Sequence, residues 1–143
     1  MRIAIKIVGL MLLLSQAAHA GTTVIPFTLR KTDVGAPLIL VQVEVNGKAA
    51  TLCLDSGAQL VGVAPSYLKG LPSLGDTYVA GVGGRMKATA AFVNITIGTD
   101  TFREVAIGDK GVAGDGFLGE SILSHYSKIT IDYAAKTITL ERP

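Results

Sequence analysis

From residue 21 onward, apolar side chains fall at every second position or in short runs bounded by turn residues, and no stretch holds a 3.6-residue period beyond two turns. A chain patterned this way has to build sheet. Segments 38–45 and 49–54 flank Asn46-Gly47, two residues that tolerate the positive φ of a type I′ hairpin turn. Segments 88–97 and 101–107 flank Gly98-Thr99-Asp100, and 128–132 and 137–141 are joined through Tyr133-Ala134-Ala135-Lys136. A further strand is expected over 23–30. Helix is confined to 65–68, where Pro65 suits a first turn, and to 120–126, where Ile122, Leu123 and Tyr126 share a face. Neither piece can organise a fold, so the pattern predicts one all-β domain, a barrel or sandwich of short strands.

The 143 residues are 49% hydrophobic and 17% charged, which suits one core-forming domain and not a disordered chain. The first twenty residues read differently. Arg2 and Lys6 precede the apolar run 7–14, and Ala18-His19-Ala20 places small residues where a signal peptidase reads them. Residues 1–20 are therefore expected to be a secretory signal peptide, and 21–143 the functional domain. The apolar run is shorter than the ~20 residues a membrane span needs, so no stable insertion is expected after cleavage. The protein should be exported, periplasmic or secreted, in a bacterial setting. Loss of Arg2 and Lys6 lowers the basic residues from 13 to 11 against 11 acids, which leaves no basic footprint for nucleic acid. Cys53 is the only cysteine, so no internal disulfide can form, and alternation places it in the core. Without the leader a single histidine, His125, remains, so no metal or other cofactor is expected.

The chemistry concentrates where the apolar run Leu52-Cys53-Leu54 delivers Asp55 into Ser56-Gly57-Ala58. Burial at a strand end is one way to raise a carboxyl pKa, and a group that both takes and gives a proton suits acid/base work. Asp-Ser-Gly by itself is also an ordinary Asx turn. Its company alters the reading. Some sixty residues on come Asp115-Gly116-Phe117-Leu118-Gly119, a short helical segment, and then Ile129-Thr130-Ile131-Asp132-Tyr133.

In these motifs the chain resembles the retropepsin-like aspartic proteases over about residues 36–142. The resemblance implies a closed barrel with a flap hairpin and one short helix near the C-terminus. It implies that Asp55 is the catalytic carboxylate, that the Ser56 hydroxyl bonds across to a partner copy of the loop, and that Gly57 and Ala58 complete that loop. Gly81, Val82, Gly83 and Gly84 would form the flap over a peptide or unfolded-protein substrate. Phe117, Leu118 and Gly119 would pack beneath the active loop. Hydrolysis needs one carboxylate as base and another as acid, and as in aspartic proteases generally the two share one proton. The chain has one such motif. Asp115 lacks the following Ser/Thr-Gly and reads as a turn, so the second acid is expected from a homodimer with its site on the twofold axis. Ser56 stands where Thr is commoner, and Gln59-Leu60-Val61-Gly62 departs from the small polar residues often found there.

Other chemistries fit less well. Gly119-Glu120-Ser121-Ile122-Leu123 lacks the last Gly of a nucleophile elbow, and a Cys53–His125 pair would need Cys53 outside the core. Two non-enzymatic readings stay open: a module that binds extended peptide by strand addition, and a structural dimer.

Overall fold

The computed structural model describes residues 21–81, 84–109 and 114–143. The leader 1–20, Val82 and Gly83 of the expected flap, and 110–113 lie outside the described residues. Ten strands follow in order: β1 (Thr22–Arg30), β2 (Leu38–Val45), β3 (Lys48–Leu54), β4 (Val61–Val63), β5 (Ser73–Gly81), β6 (Gly84–Ile97), β7 (Asp100–Gly108), β8 (Gly116–Leu118), β9 (Lys128–Asp132) and β10 (Thr137–Glu141). A 3₁₀ turn spans Pro65–Tyr67, and α1 covers Glu120–Leu123. Among the described residues no helix is long and apolar enough to cross a membrane.

The strands form one mixed sheet in the order β5-β6-β7-β4-β8-β3-β2-β1-β10-β9. A further pairing, Glu44 with Thr96 and Val45 with Ile95, joins β2 to β6 and closes six strands, β6-β7-β4-β8-β3-β2, into a ring. The expected all-β ring is therefore present. Closure removes sheet edges at the centre, and among the described residues β5 and β9 are the outermost strands.

Alternation does what the pattern predicts. Val41, Val43 and Val45 of β2 and Val93, Ile95 and Ile97 of β6 are buried while their neighbours face outward, and they meet Leu52, Leu118, Ile122, Ile138 and Leu140 in one core. Each such side chain contributes about 1.5–3 kcal/mol by leaving water. Asn46 and Gly47 adopt φ of 51° and 77°, as a two-residue hairpin turn requires.

Three local expectations shift. In the second hairpin Ile97 pairs with Asp100, so the turn is Gly98-Thr99 and Asp100 belongs to β7. The C-terminal helix is one turn long. After Leu123 the chain closes with tighter bonds, His125 N–H to Ile122 O and Tyr126 N–H to Leu123 O, both at the i→i−3 spacing of a 3₁₀ turn. β4 is a strand that alternation does not reveal, because Val61, Gly62 and Val63 are all buried.

Asp100 is 8% exposed and sits in a polar knot that ties β1 to the residue after β10. Its carboxylate accepts from Thr23 Oγ1 at 3.3 Å and Tyr126 OH at 3.2 Å, and Arg142 Nε lies 3.2 Å away. Arg142 also lies over Phe102, on which the His125 ring stacks and against which the Tyr126 ring stands edge-on. Burial, then the negative Asp100, pushes the Tyr126 phenol well above its ordinary value of 10.0. The fold therefore holds the neutral phenol more tightly than the unfolded chain does. Its contribution is full below about pH 10 and is lost as pH climbs towards the folded value. Tyr126→Phe is expected to cost about 1–2 kcal/mol at neutral pH by removing one bond to a charged acceptor. It should also flatten the loss of stability above pH 10, which urea unfolding at pH 8 and pH 10.5 would measure.

Candidate active site

The site is built by three short strands. β8 pairs in parallel with β3, Leu52 opposite Gly116 and Leu54 opposite Leu118, and antiparallel with β4, Gly62 opposite Phe117. β3 and β4 are consecutive in the chain, yet β8 lies between them. The connection 55–60 must therefore loop around the end of β8, and Asp55 is its first residue.

Main-chain bonds hold that loop. Asp55 N–H donates to Leu118 O at 3.0 Å, Glu120 N–H to Ala58 O at 2.8 Å and Ser121 N–H to Gln59 O at 3.0 Å. Asp55 Oδ1 accepts from Gly57 N–H at 2.9 Å, and Ala58 N–H donates to Asp55 O at 3.2 Å. Two glycines permit the close packing. A Cβ on Gly119 would collide with the carbonyl oxygens of Leu60 and Ala58, and one on Gly62 would enter the Phe117 ring. Phe117, Leu118 and Gly119 thus pack directly against the Asp55 loop, although neither the Leu60 carbonyl nor the N–H groups of Glu120 and Ser121 could be singled out from residue type, since they act through backbone.

One expectation is corrected. Asp55, Ser56 and Gly57 are exposed in the single chain, whereas the sequence places the carboxylate in a buried setting. The strand before it is buried, but the loop emerges past the end of β8, where none of the described residues buries it. Cys53 is buried, as expected, but not through alternation, since Leu52 beside it is buried as well and β3 is covered on both faces there. Burial pushes its thiol up, with the neighbouring Asp55 charge adding to the effect. A poorly ionised thiol is a poor nucleophile, and His125 is engaged elsewhere, with Nε2 2.7 Å from Glu104 Oε1 and its ring on Phe102.

Asp115 is a structural residue. Its Oδ2 accepts from Thr51 N–H at 2.8 Å, and its own carbonyl accepts from Ala64 N–H at 2.7 Å. It lies level with Thr51, four residues back along β3 from Asp55, a separation of roughly 13 Å at about 3.3 Å per residue. Asp115 is therefore too far from Asp55 to pair with it. Gly81 and Gly84 face each other as the last pair of the β5–β6 hairpin, so the arms of the expected flap are present up to its tip. Among the described residues no group of three or more His, Cys, Asp or Glu could hold a metal ion.

No family model and no curated protein matches the sequence. Solved structures do match the fold. The chain is similar to a retropepsin-like aspartic protease from Rickettsia conorii, with a TM-score of 0.58 and 19% identity over 86% of this chain and 90% of that one. It is also similar to EIAV protease in complex with an inhibitor, with a TM-score of 0.52 and 19% identity over 66% of this chain and 91% of that one. The fold is that of the retropepsin-like aspartic proteases.

Proposed function

We propose that this protein is an exported aspartic endopeptidase whose active site forms when two copies bring their Asp55 side chains together. The observation that carries the reading is the position of Asp55: the first residue of a loop wound round the end of β8, fixed by bonds to Leu118 and Gly57, with its carboxylate facing outward. A second subunit would cover that exposed group. Two carboxylates about 3 Å apart cannot both ionise, so the pair would hold one proton. One member would take a proton from water as that water attacks the peptide carbonyl, while the other polarises the carbonyl and then protonates the leaving amine. The Ser56 hydroxyl would brace the two loops against each other. The β5–β6 hairpin would close over the substrate and exclude water.

The working form is the singly protonated pair, so cleavage should favour mildly acid pH. Incubation of the purified protein with a diverse peptide mixture from acid to neutral pH tests the reading. A rate still rising at pH 9 would contradict it. Cleavage should also fall more steeply than linearly as the protein is diluted below its dimer dissociation constant, because each site needs two chains. A rate strictly proportional to protein at every dilution would mean a site complete in one chain.

A second reading has its own support. The Asp55 Oδ1 bond to Gly57 N–H is the geometry of an Asx turn, which suits a module that binds extended peptide without cutting it. The Asp55→Asn variant separates the two.

A further inference from the structure

We propose that Asn46 is a site of spontaneous deamidation that the fold holds in check, its side-chain amide turning to acid only when β2 and β6 part. The inference stands apart from the protease reading, since it concerns the joint that closes the ring.

β2 and β6 share the register pairs Glu44 with Thr96 and Val45 with Ile95. Asn46 and Asn94 fall next in that register, although β2 has ended and the chain has entered the turn. Asn46 N–H donates to Asn94 O at 2.8 Å, and Asn94 N–H donates to Asn46 Oδ1 at 2.8 Å. A side-chain carbonyl thus accepts where the backbone carbonyl of a longer strand would. The substitution follows from the turn: Asn46 has swung into the left-handed region, at φ 51°, so its own carbonyl no longer follows the ladder. One side chain extends the joint by a further rung.

The same residue carries a chemical liability. Gly47 follows it, and with no Cβ its nitrogen is unshielded. Both residues are exposed, so water and hydroxide reach them. Hydroxide takes the Gly47 N–H proton and the nitrogen attacks Asn46 Cγ. An N–C bond forms, the Cγ–Nδ2 bond breaks, and the leaving nitrogen recovers a proton from water and departs as ammonia. The product is a five-membered succinimide. Water then opens the ring. Addition at Cγ gives aspartate in an unchanged main chain, whereas addition at the backbone carbonyl carbon gives isoaspartate, whose main chain runs through Cβ and Cγ.

The fold opposes the first step in two ways. Ring closure needs the Gly47 nitrogen and the Asn46 Cβ on the same side of the Cα–C bond, whereas a left-handed backbone sets them nearly opposite. It also needs the amide to swing away from β6, which breaks the bond from Asn94 N–H. One event releases both restraints, the parting of the turn from β6. The two products then differ in their effect. Aspartate keeps an oxygen for Asn94 N–H, but isoaspartate inserts an extra main-chain atom into a two-residue turn. It should loosen the ring between β2, which turns back into the strand leading to Asp55, and β6, which carries one arm of the β5–β6 hairpin.

Peptide mapping by mass spectrometry, after incubation in mildly alkaline buffer, compares the purified protein with a synthetic peptide of residues 42–50. Asn46 should convert in both, at least about tenfold more slowly in the protein, where local opening must precede the chemistry. Ile95, fully buried opposite Val45, gives a way to weaken the joint without unfolding the chain. Ile95→Val should speed conversion in the protein about two- to tenfold by removing one packed methyl group. Protein carrying isoaspartate should melt below the fresh protein, and Asn46→Asp should melt close to it.

A protein that converts as fast as the peptide overturns the proposal, as does one in which Asn46 never converts. An unchanged rate in Ile95→Val would mean that the joint with β6 does not control the reaction. Isoaspartate protein as stable as fresh protein would remove its effect on the ring, and an Asn46→Asp variant as unstable as the isoaspartate form would assign the loss to added charge instead.

Discussion

Asp55→Asn is expected to lower peptide cleavage by at least about 10³-fold while leaving the thermal midpoint within a few degrees of the original. General acid/base catalysis supplies roughly 10² to 10⁴ of an enzyme's rate, and in a shared site one substitution removes both members of the pair. The fold should not notice. The side chain is exposed, its Oδ1 accepts from Gly57 N–H, and an asparagine amide oxygen can accept the same bond. Circular dichroism beside a peptide-cleavage assay would measure both quantities. Cleavage unchanged by the substitution would end the aspartic-protease reading. Peptide affinity that survives in a protein that never cleaved would favour the binding module.

The second large effect concerns folding. Gly119→Ala is expected to cost about 3 kcal/mol, the upper part of the range for forcing extra volume into a packed site. The methyl group would meet the carbonyl oxygens of Leu60 and Ala58, the latter at 2.7 Å, and backbone cannot swing aside as a flexible side chain can. Relief requires the loop to lift away, which strains the bonds from Glu120 N–H to Ala58 O and from Ser121 N–H to Gln59 O. Out of a total near 5–15 kcal/mol, that loss is large. Gly47→Ala is the control. Its Cβ would meet nothing within 4 Å, and only the positive φ of 77° resists it, at about 1 kcal/mol. Urea unfolding of the two variants should show a midpoint shift for Gly119→Ala several times that for Gly47→Ala. Equal shifts would mean that the loop is not clamped on β8 as described.

Much of this fold is legible in short-range pattern. The Asn46-Gly47 hairpin and the alternation of β2 and β6 follow from residue type and spacing, because a half-buried strand exposes every second side chain to water. β4 is illegible for the opposite reason: three residues buried on both faces carry no alternation. Asp100 reads as a turn residue after Gly98-Thr99, and only the folded chain shows it buried among Thr23, Tyr126 and Arg142, groups contributed by three distant segments. The turn after Leu123 is likewise tighter than a helical pattern suggests, since the chain must reverse quickly into β9.

The candidate site divides along the same line. Asp55-Ser56-Gly57 and Phe117-Leu118-Gly119 are visible as motifs roughly sixty residues apart, and their chemistry is local to the residues themselves. That one chain holds a single motif of this kind, and so points to two copies, is also a matter of sequence. What brings the motifs together is the insertion of β8 between β3 and β4, a pairing between segments far apart in the chain that no local period encodes. The exposure of Asp55 in the single chain was decided at that level too, because burial depends on what lies across a loop and not on the apolar run that leads into it. Sequence alone determined strands, turns and chemical groups, since these depend on neighbouring residues. The tertiary structure decided closure of the ring, the burial of Asp100 and the outward presentation of Asp55, since these depend on which distant strands share hydrogen bonds.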